Sequence, residues 1–278
     1  MPGTDVVDAT PSPPRSRMTA FLYAVPIGTL GGLIGLGGAE FRLPVLVFPL
    51  RYPARQAVPL NLAVSLCTIV ASLAIRSRAL SLDSVEPYIP GIIGLIAGAV
   101  VSAIVGTAFV QRLSDERLER TILILLLVIG CALIVEGFLP NDAVGFLPDD
   151  DAVQLLAGVG FGLGIGLVSS LLGVAGGEVI IPTLVFAYGA GIKTAGTAGL
   201  FVSLPTVGAG ILRYARRGAY TRRAITETVT PMGIGSIVGA IIGGLLVGLI
   251  SSDILKIGLG FVLIWSASRI FRASRRTG

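Results

Sequence analysis

Apolar runs separated by short polar connections occupy nearly the whole chain: Thr19–Leu36, Phe41–Leu50, Ala54–Ile75, Tyr88–Val110, Leu118–Leu139, Val153–Leu172, Val179–Tyr188, Lys193–Leu212, Ala224–Ile250 and Ile254–Ile270. The runs are continuous and do not alternate with period two, which excludes a transmembrane β-barrel and predicts helices. Eight are long enough to cross a bilayer as ordinary helices, for which about 20 residues suffice. Phe41–Leu50 and Val179–Tyr188 hold only ten residues each. Ten residues make about 15 Å of helix, half of the roughly 30 Å hydrocarbon core. Each short run follows a glycine-rich break, so each is predicted to be the return arm of a broken, re-entrant hairpin.

The two breaks repeat one another. Gly35-Leu36-Gly37-Gly38-Ala39-Glu40, followed by Pro44, matches Gly173-Val174-Ala175-Gly176-Gly177-Glu178, followed by Pro182. At an offset of 138 the match runs without a gap from Leu33/Leu171 to Leu80/Gly218, with 16 identities in 48 pairs. These include Ser65/Ser203, Thr68/Thr206 and Arg78/Arg216. A weaker match at an offset of 137 follows, at Gly98/Gly235 and Gly106/Gly243. Duplicated, interrupted membrane segments point to the binding site of a transporter. The fold class predicted is an all-α polytopic membrane protein: about eight full transmembrane helices plus two broken hairpins, arranged as two inverted repeats.

Charge sets the expected topology. Only 13% of the 278 residues are charged, about half the share in a soluble domain. With the N-terminus inside and each hairpin either returning the chain to the side it entered from or crossing back as a short span, 16 of the 21 Lys and Arg fall on the inner face and 5 on the outer face or hairpin tips. Arg42, Arg76 and Arg78 are among those five. This split follows the positive-inside rule and makes the repeats inverted. The domains expected are a disordered cytoplasmic tail (1–17), a first membrane repeat (18–139), an extracytoplasmic linker (140–152), a second repeat (153–272) and a short cytoplasmic tail (273–278). No secretory signal peptide is evident, because Met1–Arg17 is polar and proline-rich. The net charge of +5 therefore reflects membrane orientation, and nucleic acid is not an expected partner. The lipid bilayer is, and a homodimer is admissible.

Histidine is absent, which removes the commonest general base and metal ligand. No catalytic residue, metal site or cofactor is expected. Cys67 and Cys131 lie within apolar runs and read as buried small hydrophobes. The glycine-rich turns would expose backbone N–H groups, and a short helix starting there adds the positive end of its dipole, a cradle for an anion. The substrate-binding candidates in the breaks are Gly35, Gly37, Gly38, Glu40, Gly173, Gly176, Gly177 and Glu178. Asn61, Ser65 and Thr68 share one helix face, and Thr197, Ser203 and Thr206 lie on the corresponding helix of the second half; all six are candidates to line the same cavity. The competing reading of that stripe is interhelical hydrogen bonding.

A carboxyl group in hydrocarbon is costly and is expected to be paired, protonated or functional. Glu178 and Glu40 are the proton-coupling candidates, with helix capping as the alternative. Arg42 is the nearest cation in sequence to Glu40, whereas Ile180 stands in that place beyond Glu178. The prolines at 44, 59, 182 and 205 are expected to end or kink helices. Gly94/Gly98, Gly158/Gly162 and Gly235/Gly239 read as packing positions.

The segments Gly35–Pro44 and Gly173–Pro182 resemble the two signature motifs of the TauE/SafE sulfite exporter family, also called the toluene sulfonate uptake permease family. Lys193–Pro205 is similar to the stretch that follows the second motif. The resemblance covers nearly the whole chain. It implies a prokaryotic inner-membrane secondary transporter for small sulfur-containing anions or organosulfonates, an exporter or a proton-coupled permease. A passive anion channel of the same fold is the alternative, separated by movement of substrate against its gradient. A membrane-embedded enzyme is disfavoured by the missing histidine and the absence of a nucleophile–base motif.

Overall fold

The computed structural model describes residues 17–79, 82–110, 145–172 and 174–251, with individual helical residues between 124 and 135 and between 254 and 264. The described residues form helices and contain no strand. In chain order they are α1 (Arg17–Ile34), α2 (Ala39–Val47), α3 (Ala54–Ala79), α4 (Ile89–Val110), α5 (Asp151–Leu172), α6 (Gly177–Phe186), α7 (Ile192–Arg216) and α8 (Arg222–Leu246). Six of these are long and apolar enough to cross a membrane. The other two, α2 and α6, span 9 and 10 residues and are the predicted short arms. The predicted N-terminal tail, nearly all of the runs Leu118–Leu139 and Ile254–Ile270, and Gly173 fall outside the described residues.

The glycine breaks end one helix and start another. Gly35 (φ 92°) follows α1, and Gly38 (φ 69°) and Gly176 (φ 79°) sit at the N-caps of α2 and α6. All three are left-handed, a conformation that a side chain would strain. Pro44, Pro59, Pro182 and Pro205 lie inside α2, α3, α6 and α7, and none ends its helix. Pro44 has no N–H for the Glu40 carbonyl four residues back, and Pro182 none for that of Glu178, so each freed acceptor falls at a glutamate.

Two helix pairs dominate the packing, α4 with α5 and α1 with α8. Gly28 and Gly32 lie against the backbone at Ser236 and Ala240, so α1 and α8 run parallel. Gly94 and Gly98 lie against Leu155 and Val159, so α4 and α5 also run parallel. At these crossings a methyl group would meet the partner's backbone, which explains the paired glycines at i and i+4. The third relation is between α3 and α7. Pro59 near the start of α3 accepts from Tyr220 just beyond α7, at 3.0 Å. Arg76 near the end of α3 reaches Lys193 and Thr197 at the start of α7. The two helices are therefore antiparallel.

Aliphatic side chains from both halves share a core cluster that includes Leu36, Leu95, Ile165, Ile180 and Leu184. Large apolar residues such as Leu156, Leu245 and Leu249 are exposed on the outside, as expected where lipid replaces water. Cys67 is half-buried, and Cys131 is exposed. The reading of Cys131 as a buried residue is thus corrected: it sits on an outer helix face, where lipid rather than protein would cover an apolar side chain.

Candidate functional site

The two glycine turns meet inside the bundle. Leu36 packs on Gly177, and Gly37 faces Ala175. Gly35 abuts Gly196 of α7. The second residue of each short helix is its glutamate, Glu40 in α2 and Glu178 in α6. Both are buried, 2% and 1% exposed, and their carboxyl groups are close neighbours. None of the four carboxyl oxygens has another protein donor. Two ionised carboxylates cannot donate to one another, so the contact becomes a hydrogen bond only with a proton between them. Residues 138 apart in sequence are thereby joined at one point. Each glutamate also sits in the first turn of its helix, near its own backbone N–H, as the capping alternative expects.

Arg42 lies near enough to Glu40 for their charges to attract, but its hydrogen bonds go elsewhere. Its guanidinium is fully buried and turns towards α3 and α8. Nη1 donates to Ser65 Oγ at 2.9 Å and Asn61 Oδ1 at 3.3 Å. Nη2 donates to Thr68 Oγ1 at 3.0 Å, Gly37 O at 3.2 Å and Ser236 Oγ at 3.3 Å. Asn61 Nδ2 donates back to Ala39 O at 2.9 Å. The polar stripe of α3 is thus a socket for an internal arginine, the interhelical hydrogen bonding weighed for it above. The arginine in turn holds the carbonyl of the first glycine turn.

The second half differs. Ile180 stands where Arg42 would be, and its methyl group lies over Gly199, the position matching Asn61. Ser203, which matches Ser65, is buried with its hydroxyl unpartnered. Thr206 donates within its own helix to Val202 O at 2.8 Å. Thr197 is drawn away from the centre, accepting from Arg76 Nε at 3.2 Å.

Arg76 is the residue that sequence reasoning placed wrongly. Assigned to an outer loop, it is instead a fully buried part of α3. Nη1 donates to Gly32 O at 3.2 Å and Leu33 O at 3.1 Å, and Nη2 donates to Lys193 O at 2.8 Å. Gly31 O already takes both Gly35 N–H and Leu36 N–H, so Arg76 supplies donors to the next two carbonyls at the end of α1, which a helix terminus leaves without partners. Among the described residues no carboxylate forms an ion pair with Arg42 or Arg76. The usable sequence signal was simply an ionisable residue bordering an apolar run.

A recess of about 220 Å³ lies along α6 beside Glu178, lined largely by Phe146, Phe161, Pro182, Thr183 and Phe186. Phe146 and Phe161 meet edge to face across it, with ring centroids 6.5 Å apart. The linker is strapped to the end of α6, since Phe146 N–H and Leu147 N–H donate to Phe186 O and Ala187 O.

Comparison with known proteins adds a family to this geometry. The family described as Sulfite exporter TauE/SafE matches residues 7–133 and 156–278. A "Probable membrane transporter protein YunE" of Bacillus subtilis (strain 168) is 28% identical over 114 residues, 41% of this chain and 40% of that protein. The chain thus covers about two fifths of that relative's length. No solved structure matches.

Proposed function

The chain belongs to the TauE/SafE sulfite exporter family, and from that premise we propose that it is a proton-coupled secondary transporter of small anions of the sulfite or organosulfonate type. The carrying observation is the Glu40–Glu178 contact, formed where two glycine-turned short helices begin, inside a bundle of membrane-length helices. The helix N-termini favour negative charge, and two touching carboxyl groups can exchange a proton as a unit. The substrate would bind between the turns, at Gly35, Gly37, Gly38, Gly173, Gly176 and Gly177, with Ser203 and Thr206 on the second-half wall. Anion and proton would then move through one centre.

Two further parts of the reading rest on packing and charge. The matched helices α3 and α7 run antiparallel, while α1 pairs with α8 and α4 with α5, the pattern expected of two inverted repeats. The positive-inside rule places both termini in the cytoplasm and the linker outside, in a prokaryotic inner membrane.

The test is sulfite flux in proteoliposomes with and without a pH gradient. A pH gradient should drive sulfite against its own gradient. Glu178→Gln, which keeps the shape and cannot ionise, should abolish the pH dependence and spare counterflow exchange. Flux that only ever runs downhill would identify a passive channel instead. Wild-type rates and pH profiles in both Glu178→Gln and Glu40→Gln would remove the carboxyl groups from the mechanism.

A further inference from the structure

The two halves of the site are built from matched segments but are held in different ways. In the first, Arg42 joins α2 to α3, to α8 and to the turn itself, through hydrogen bonds to Asn61, Ser65, Thr68, Ser236 and Gly37 O. Asn61 completes the clamp by donating to Ala39 O. In the second, among the described residues, no side-chain hydrogen bond joins α6 to α7. Ile180 and Ile181 rest on Gly199 by van der Waals contact, at 3.6 and 3.5 Å from where its Cβ would stand. Ser203 is left without the donor that its counterpart Ser65 receives. Hydrogen bonds from a buried cation fix direction as well as distance, whereas apolar contact between an isoleucine and a glycine face permits sliding. The recess lined by Glu178 also runs along α6.

We propose that Arg42 is the positioning residue of the transport site: it fixes the first hairpin as the static half, and the second hairpin, with Ile180 in the same place, is the half that moves. Glu40 is then a stationary partner, and Glu178 is carried towards and away from it by α6. The motion would open into the recess and take the strapped segment at Phe146 and Leu147 with it. This inference rests on the proposed transport site but concerns which half moves, and its test needs no substrate.

The experiment is hydrogen–deuterium exchange of the full chain in lipid nanodiscs, read peptide by peptide. Two buried short helices of nearly equal length should exchange alike unless one opens more often. Amides of Gly177–Phe186 are expected to exchange about tenfold or more faster than those of Ala39–Val47. Arg42→Gln should raise exchange in Ala39–Val47 to the level of the second hairpin. Arg42→Lys should protect only in part, because one ammonium cannot span the positions that the guanidinium fork reaches. The sharper variant transposes the clamp, combining R42I and N61G with I180R and G199N. Protection should move from the first hairpin to the second, an outcome that general loss of stability cannot produce. Equal exchange of the two hairpins in the wild-type chain would overturn the proposal, as would Arg42→Gln leaving Ala39–Val47 unchanged. A chain that shows the predicted exchange but moves no sulfite would overturn the transport reading and leave this one standing.

Discussion

Replacing Arg76 with methionine keeps the length and apolar stem of the side chain and removes its guanidinium. Gly32 O and Leu33 O then lose the donors that Arg76 provides. Lys193 O keeps a partner, since Thr197 Oγ1 donates to it at 3.1 Å. Two buried acceptors left unsatisfied cost about 1–3 kcal/mol each. Releasing a buried, unpaired guanidinium from its desolvation penalty offsets part of that, leaving an expected net loss of about 1–3 kcal/mol. The assay is unfolding of the purified protein in detergent, wild type against Arg76→Met, with Arg76→Lys expected in between. Thr197→Val should cost about 0.5–1.5 kcal/mol alone and no less in the Arg76→Met background, because there Thr197 Oγ1 is the side-chain donor left to Lys193 O. An Arg76→Met protein at least as stable as wild type would mean that the end of α1 finds its donors elsewhere, and the assignment of Arg76 as its cap would be wrong.

Other expectations are more compact. Gly98→Val should separate α4 from α5, since even a methyl group there meets the backbone of Val159 and Leu163; overpacking of this kind costs about 1–3 kcal/mol or more, visible as a lower unfolding midpoint. Tyr220, in the connection between α7 and α8, is held above its ordinary ionisation range by burial and then by the neighbouring Tyr214. Its neutral form therefore favours the folded state below pH about 10, and that contribution fades as pH rises further; Tyr220→Phe should flatten the alkaline loss of stability, and an unchanged alkaline limb would refute the assignment. In intact cells, a cysteine placed at Asp149 should label with an impermeant reagent and one at Ala273 should not; the opposite pattern would invert the topology. The Glu178→Gln loss of pH dependence completes the set.

The hairpins were legible because their signal is local. A glycine cluster, a ten-residue apolar run and a second copy of both lie within short stretches, and ten residues make only about half the length of a crossing helix. The arginine network was not legible, because its acceptors carry no sequence signature. Gly32 O, Leu33 O, Gly37 O and Lys193 O are backbone atoms, available at any residue, and Lys193 is 117 positions from Arg76. An arginine at the end of an apolar run therefore reads as a loop residue. The stripe Asn61-Ser65-Thr68 was recognised as one face, yet a row of hydroxyl and amide groups looks the same whether it awaits a ligand or an internal guanidinium. The unmatched pair Arg42/Ile180 was visible, and only the fold shows that the difference separates a clamped hairpin from an unclamped one.

The parallel pairing of α1 with α8 has a consequence for how the chain is made. The glycine face of α1 that accepts α8 is complete once residue 34 has left the ribosome, but Ser236 and Ala240 emerge about 200 residues later. At about 5–20 residues per second, α1 waits about 10–40 s for its partner. During that interval its small-residue face is open to any other helix in the membrane. Among the described residues, the first helix of each half packs against a helix of the other, α1 on α8 and α5 on α4. Nascent chains arrested before α8 should therefore be held by insertion factors or degraded, and the first half synthesised alone should fail to persist as a folded unit.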